Sequence, residues 1–225
     1  MLTQWLMFKD PKLFLVYLIV IILSISLHEF GHALSADLLG DDTPSRQGRL
    51  TVWPPAHFDP VGLVMIFLTL NLGFGLGWGR PVQVDSYQFK NPRRDMLIVA
   101  ICGPVMNLLI AIVSGLILRT IISSGHLQML VHASTGNHTT LAMFLMAFLS
   151  INVMLMLFNL IPIHPLDGSK VLSALLPRQQ SQRYDQVMGM YGPLILLGVV
   201  FLAPGVLNYI VGPASSAVMN MIMGT

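Results

Sequence analysis

The sequence predicts an all-α membrane protein, a polytopic helical bundle of about five to six membrane segments. Of its 225 residues, 54% are hydrophobic and only 10% are charged, whereas soluble domains carry about 25% charged residues. The mean hydropathy is +0.72, and several charge-free runs approach the roughly 20 residues that cross a bilayer as a helix. These runs are 13–27, 61–78, 96–118, 139–163 and everything after residue 185.

The first two predicted elements are a helix and a polar connection. The helix is expected to begin after Pro11 and to end at Leu39, where a glycine and two aspartates supply a stop signal. Residues 41–60 are polar and contain proline, so they predict a loop near the membrane face with candidate strand residues at 51–53. The next apolar run contains five glycines between residues 62 and 79. Both a full crossing and a re-entrant turn fit a run of this kind.

The charges between the apolar runs predict the orientation. Residues 80–95 contain four Lys or Arg residues, whereas residues 120–138 contain none. Since Lys and Arg collect in cytoplasmic loops, the 80–95 connection is expected in the cytoplasm, and the basic residues after the fourth run place that end there too. The uncharged tail from Val187 contains three prolines, which predicts one crossing helix and a short interfacial piece. The expected location is the cell membrane, as a multi-pass protein.

Residues 28–32 read His-Glu-Phe-Gly-His, an H-E-x-x-H pattern inside the first predicted helix. The spacing of four residues stacks His28 and His32 on one helix face, where they can share a metal ion. Glu29 then lies beside the ion. A purely structural role is disfavoured, because burying these polar groups in a bilayer helix without a partner costs several kcal/mol.

A catalytic zinc takes about three protein ligands and keeps one position open for water, so two histidines leave one ligand to be found. Asp167 is the best candidate. It lies in the proline-containing stretch 162–168, where irregular backbone can project a carboxylate into a cavity. The sequence therefore predicts a zinc site inside the bilayer, nearer its cytoplasmic face.

Four blocks of the chain resemble the site-2 protease family of intramembrane zinc metalloproteases, in its short form without accessory domains. The blocks are His28 to His32, His57 to Gly62, Asn91 to Arg94 with Gly103 to Asn107, and Asn159 to Gly168. Family members place a zinc-binding aspartate in the last block, which the resemblance assigns to Asp167. This chain has Ser169 where a second glycine is common. It also has His164 at a position that is commonly apolar or proline, which makes His164 a competing ligand.

The resemblance implies an intramembrane zinc endopeptidase that hydrolyses peptide bonds in or next to transmembrane segments of membrane proteins. It implies one Zn²⁺ per chain, held by His28, His32 and Asp167, with Glu29 as the general base. The expected partners are a membrane-protein substrate with a transmembrane helix and the lipid bilayer. Nucleic acid is not expected, because no basic stripe lies on a soluble face. No polar stretch reaches the roughly 50 residues of a soluble domain, so one membrane domain is expected over residues 1–225.

Three further residues are candidates for substrate binding. Asn159 could bond the substrate backbone or the developing oxyanion, and it could equally bridge two helices. His57 and Asp59 are secondary candidates, because loop residues near an interface are usually only solvated. Asn107 is expected to pack helices together, with Gly103 permitting their close approach.

Two other functional classes fit part of the pattern. A membrane zinc transporter or sensor would use the same three ligands, but it needs no carboxylate base beside them. A non-catalytic membrane scaffold would be indicated by loss of Glu29 or of a ligand, and all four residues are present. The endopeptidase is therefore the preferred prediction.

Overall fold

Eight α-helices contain most of the residues that the computed structural model of the protein describes, which are 10–72, 77–126 and 139–224. They are α1 (Pro11–Leu38), α2 (Thr43–Arg46), α3 (Pro60–Leu72), α4 (Pro92–Ser123), α5 (Thr140–Asn159), α6 (Asp167–Leu175), α7 (Arg178–Leu202) and α8 (Pro204–Met223). Short 3-10 turns at Pro54–His57 and Ser86–Gln88 interrupt the connections.

Five of these helices are long and apolar enough to cross a membrane, namely α1, α4, α5, α7 and α8. This confirms the predicted all-α membrane fold. The prediction of a strand at residues 51–53 is wrong, since no strand occurs in the described ranges. Pro54 and Pro55 follow directly and begin a 3-10 turn, and proline lacks the N–H that a strand ladder requires.

Helix α1 has the predicted boundaries to within one residue. The carboxylate of Asp10 accepts a hydrogen bond of 2.9 Å from the backbone N–H of Leu13, and Pro11 occupies the first helical position, both of which favour a helix start. The helix ends before Gly40, whose φ of 106° suits glycine far better than other residues. The whole H-E-x-x-H motif therefore lies within α1.

The helix α4 packs against both α1 and α5 and forms the centre of the bundle. Gly31 of α1 faces the backbone of α4, since a Cβ added there would lie 2.8 Å from the carbonyl oxygen of Cys102. A glycine between the two motif histidines thus lets the helices approach closely. This contact brings the polar side chains of α4 to His28 and His32.

Residues 77–79 run back alongside α3, which favours the re-entrant one of the two predicted arrangements. The 13 residues of α3 span roughly 20 Å at 1.5 Å per residue, against about 30 Å for the hydrocarbon core. Added Cβ atoms at Gly62 and Gly77 would lie 2.0 Å from the carbonyl oxygen of Trp78 and 2.1 Å from the side chain of Ile66. The returning chain therefore packs against α3, and we call residues 60–79 the re-entrant segment. Within it, residues 73–76 lie outside the described ranges.

The carboxyl-terminal tail differs from its prediction. It contains two helices long enough to cross a membrane, α7 and α8, rather than one crossing helix and a short interfacial piece. Pro193 and Pro213 lie inside these helices instead of ending them, and membrane-crossing helices tolerate internal proline better than helices in water do. The connection without Lys or Arg, residues 120–138, is described only up to residue 126, since residues 127–138 lie outside the described ranges.

Candidate metal centre

Three buried side chains converge at the centre of the bundle. The Nε2 atoms of His28 and His32 lie 3.1 Å apart, and each lies 3.1 Å from Oδ2 of Asp167. The three side chains are 6–7% exposed. Within the described part of the chain they form the one group of His, Cys, Asp or Glu side chains placed to hold a metal ion. His164, the competing candidate, lies outside this group.

The fold brings Asp167 to the histidines through an irregular stretch. Helix α5 ends at Asn159, and α6 begins at Asp167 itself. Gly168 packs so tightly that a Cβ there would lie 2.2 Å from the carbonyl oxygen of Leu160. A larger residue at 168 would push the carboxylate out of position, which explains the glycine after the aspartate.

The donor atoms fit a zinc ion. Nδ1 of His32 lies 2.7 Å from the carbonyl oxygen of Val99, which can only accept, so Nδ1 carries the proton and Nε2 presents a lone pair. Nδ1 of His28 donates to Oδ1 of Asn107 at 2.6 Å, which assigns the same tautomer. In the neutral rings, two nitrogen lone pairs and a carboxylate oxygen then face one point, an arrangement that favours a bound cation. Zinc sites commonly have this set of two imidazoles and one carboxylate.

The two carboxylate oxygens of Asp167 have different neighbours. Its second oxygen, Oδ1, lies 3.5 Å from Nζ of Lys170, one helical turn along α6. Oδ2 is therefore the oxygen that remains directed at the histidines.

Glu29 shares a cavity with the three donor residues. The cavity measures about 650 Å³, and Glu29, His28, His32 and Asp167 all line it. The Glu29 carboxylate is half-buried, and its Oε2 accepts a hydrogen bond of 2.9 Å from the backbone N–H of Val82. The structure thus sets a half-buried carboxylate in the same cavity as the candidate metal ligands.

The three candidate substrate-binding residues are placed differently. Asn159 lines the cavity and donates to the carbonyl oxygen of Leu155 at 3.0 Å. His57 is 1% exposed, and its Nε2 lies 2.8 Å from the carbonyl oxygen of Thr51. Asp59 accepts a hydrogen bond of 2.7 Å from the N–H of Gly62 at the start of α3. Among the described residues, the cavity lining includes Asn159 but neither His57 nor Asp59.

Asn107 does more than the helix packing that the sequence predicts. Besides its contact with His28, its Nδ2 donates to Oδ1 of Asn152 at 2.8 Å, and Nδ2 of Asn152 donates to Oγ of Ser24 at 2.8 Å. All three of these residues are fully buried. The amide chain therefore fixes the ring of His28, and the signal for it is an asparagine in the middle of an otherwise apolar run.

Replacing Asn107 with leucine is expected to weaken zinc binding about 10- to 100-fold, which is the typical loss when the hydrogen-bond partner of a metal-binding histidine is removed. Leucine keeps the volume but leaves Nδ1 of His28 without its acceptor. Zinc affinity is measured by competition with a chelator of known affinity. Asn220→Leu, at an exposed position on α8, serves as control, and equal affinities in the two variants would contradict the prediction.

Gly103 lies directly against the two imidazoles. A Cβ at this position would lie 2.3 Å from Nε2 of His32 and 2.7 Å from Cε1 of His28. Gly103→Ala is therefore expected to displace both rings and to lower zinc content, as measured by elemental analysis of the purified protein. Gly198→Ala is the matched control, since nothing lies within 4 Å of a Cβ added there. Full zinc content in Gly103→Ala would show that the site tolerates the methyl group.

A bundle of membrane-crossing helices with a buried His-His-Asp centre and an adjacent glutamate defines the class of membrane metallopeptidases. The sequence model of peptidase family M50 matches residues 16–199, and the chain belongs to this family, the site-2 protease family. Zinc is the metal that the family implies, and the donor set of His28, His32 and Asp167 fits it.

Three curated relatives are named as zinc metalloproteases. The chain is 36% identical over 214 residues to "Putative zinc metalloprotease YwhC" of Bacillus subtilis, covering 95% of this chain and 92% of the relative. It is 32% identical over 186 residues to "Putative zinc metalloprotease Rip2" of Mycobacterium tuberculosis, covering 81% of this chain and 65% of the relative, just under two thirds of its length. A protein of the same name from Mycolicibacterium smegmatis is 30% identical over 203 residues, with 86% and 70% covered. No solved structure matches the chain.

Proposed function

We propose that this protein is an intramembrane zinc endopeptidase of the site-2 type, which hydrolyses peptide bonds in or next to transmembrane segments of membrane proteins. The observation that carries the proposal is the set of three buried donor atoms about 3.1 Å apart, sharing one cavity with Glu29. The cavity lies among helices that can cross a bilayer. Regulated cleavage of a signalling protein and clearance of membrane remnants both fit this activity.

In the proposed site, His28, His32 and Asp167 hold one zinc ion per chain. When bound, zinc supplies a Lewis acid that polarises a carbonyl oxygen and lowers the pKa of a water molecule to about 7. Hydrogen bonds to Asn107 and Val99 keep the two rings in the orientation that directs Nε2 inward. Each imidazole thus has one nitrogen for the metal and one for the protein.

Glu29 acts as the general base and then as the general acid. Its carboxylate accepts a proton from the attacking water and gives that proton to the amine that leaves when the peptide bond breaks. The N–H of Val82 holds Oε2 of Glu29, which leaves Oε1 for the proton. A zinc transporter or sensor needs no such group, so Glu29 favours the peptidase.

The cavity lining suits an apolar peptide. Its apolar lining includes Ile25, Leu155, Phe158, Leu196 and, from the re-entrant segment, Trp78. A helical substrate keeps its carbonyl groups in hydrogen bonds, so the substrate must unwind locally, and Gly, Pro or Asn in its membrane segment lower the cost of unwinding. Asn159, also in the lining, is placed to bond the exposed backbone or the developing oxyanion.

The proposed location is the cell membrane, with the site nearer the cytoplasmic face. The distribution of basic residues along the chain supports this location. Lys170 lies one turn from Asp167, and Arg178, at the start of α7, lines a second cavity together with Lys170. Lys and Arg collect in cytoplasmic connections.

The proposed activity is tested by reconstituting the purified protein in liposomes with two substrates. One carries an apolar transmembrane segment containing glycine, and the other is the same polypeptide with a water-soluble segment in its place. The expected result is zinc-dependent cleavage of the first substrate, mapped by mass spectrometry to a bond in or next to the apolar segment. Equal cleavage of both substrates, or of the soluble one alone, would contradict an intramembrane endopeptidase.

A further inference from the structure

Arg49 is a buried cation in the connection between α2 and the re-entrant segment. Its side chain is 4% exposed. Nη1 donates to the carbonyl oxygen of Ala56, and Nη2 donates to the carbonyl oxygens of Arg80 and Pro81, each at 3.2 Å. These acceptors lie before and after the re-entrant segment, so one guanidinium group joins its two ends. The N–H of Arg80 adds a bond of 2.8 Å to the carbonyl oxygen of His57.

The Pro81–Val82 peptide group connects Arg49 to Glu29. Its carbonyl oxygen accepts from Arg49, and its N–H donates to Oε2 of Glu29 at 2.9 Å. A trans peptide group is planar and rigid, and its C=O and N–H point to opposite sides. Arg49 and Glu29 therefore bind the two sides of one rigid unit, and a change in the position of the carbonyl also changes the direction of the N–H.

The charge of Arg49 strengthens this connection. Burial lowers the pKa of the guanidinium and the charge of Arg80 lowers it further, while the carboxylate of Glu29 opposes both. Arginine nevertheless stays ionised in proteins. A cation on the carbonyl oxygen polarises the peptide group and makes its N–H a stronger donor, so Arg49 improves the bond that Glu29 receives.

We propose that Arg49 is a positioning residue for peptide hydrolysis: it fixes the Pro81–Val82 peptide group, whose N–H holds the general base Glu29 in place. The inference rests on the proposed function, because it requires Glu29 to act as that base. Among the described residues, Arg49 is not part of the cavity lining or of the metal-binding group. Its loss should therefore lower kcat and leave substrate binding and zinc content unchanged.

The first test replaces Arg49 with methionine in the full-length protein. We expect kcat to fall about 10- to 100-fold, the usual cost of losing a group that orients a catalytic residue or ligand, with KM unchanged to within about twofold and zinc content equal to that of the wild type. Arg46→Met is the matched control, since Arg46 lies in the same connection but forms an exposed ion pair with Asp42. A wild-type kcat in Arg49→Met would overturn the inference.

A double-mutant cycle separates positioning from a general structural role. Val82→Pro removes the N–H that Glu29 accepts, and Val82→Ala, which keeps the N–H, gives the reference for loss of the side chain. If Arg49 acts through this N–H, Arg49→Met lowers kcat in the Val82→Ala background but has little further effect in the Val82→Pro background. Additive effects would show that Arg49 acts independently of the N–H and would overturn the inference.

Further comparisons separate a failure of the proposed function from a failure of the role proposed for Arg49. Should Arg49→Met fail to fold, Arg49→Lys takes its place in the cycle, because an ammonium keeps the charge but loses the planar fork that reaches separate carbonyls. A wild type that cleaves no substrate contradicts the proposed function itself. A wild type that cleaves and a Glu29→Gln variant that does not, combined with additive effects in the cycle, overturn the role of Arg49 alone.

Discussion

Glu29→Gln is expected to lower the rate of cleavage about 10²- to 10⁴-fold, the usual contribution of a general acid–base group, without loss of zinc. Glutamine has nearly the same shape, and its carbonyl oxygen can still accept the hydrogen bond from Val82 that Glu29 receives. An amide cannot accept the proton of the attacking water at neutral pH. Initial rates on a membrane-segment substrate and zinc content are measured on the same preparation.

Asp37→Asn is the matched control for this variant. It exchanges a carboxylate for an amide on the same helix, at a half-buried position that is not part of the described cavity lining. Wild-type cleavage is expected in Asp37→Asn. A Glu29→Gln variant that binds zinc and cleaves at the wild-type rate would show that another group moves the proton, and a transport assay would then test the carrier alternative.

Asp167→Ala is expected to lose more zinc than either Asn107→Leu or Gly103→Ala. It removes the only anionic oxygen of the three donors, which lies 3.1 Å from both imidazole nitrogens. The loss should exceed the roughly 100-fold that follows removal of a ligand's hydrogen-bond partner, and cleavage should fall with zinc content. Zinc per chain is measured after dialysis against a weak chelator.

Two variants control for Asp167. Asp185→Ala removes a carboxylate from α7 that bonds Ser173 and is not part of the metal-binding group, so full zinc content is expected. His164→Ala tests the competing ligand that the sequence leaves open, and full zinc content is expected there too. If His164→Ala lost zinc while Asp167→Ala retained it, the proposed ligand set would be wrong.

The convergence of His28, His32 and Asp167 is the part of the structure that the sequence predicts best. The spacing of four residues between His28 and His32 requires neighbouring imidazoles once the segment is helical. The third donor lies 135 residues after His32, yet a carboxylate in an apolar protein is rare enough that few candidates compete with Asp167. A carboxylate in an irregular, proline-containing break between apolar runs is therefore predictable as a donor even at this distance along the chain.

The supporting contacts could not be predicted in the same way. The sequence shows Asn107, Asn152 and Ser24 only as separate polar residues in apolar runs, and their pairing depends on how α1, α4 and α5 pack. Arg49 resembles an ordinary loop cation until its carbonyl partners at both ends of the re-entrant segment are known. These contacts are set by tertiary structure, on which local patterns carry no information.

The errors at strand and tail also have physical causes. Residues 51–53 have strand-like side chains, but the prolines that follow begin a 3-10 turn. In the tail, Pro193 and Pro213 were expected to break helices, as proline does in water. Both lie inside long helices, since membrane-crossing helices tolerate internal proline better than helices in water do.

The most direct test of the central claim is a zinc titration of metal-free protein, with cleavage of a membrane-segment substrate as the readout. If His28, His32 and Asp167 hold one catalytic zinc, activity should be absent without metal and should rise to a plateau at about one equivalent per chain. Cleavage by metal-free protein, or no cleavage when one equivalent of zinc is bound, would contradict the account.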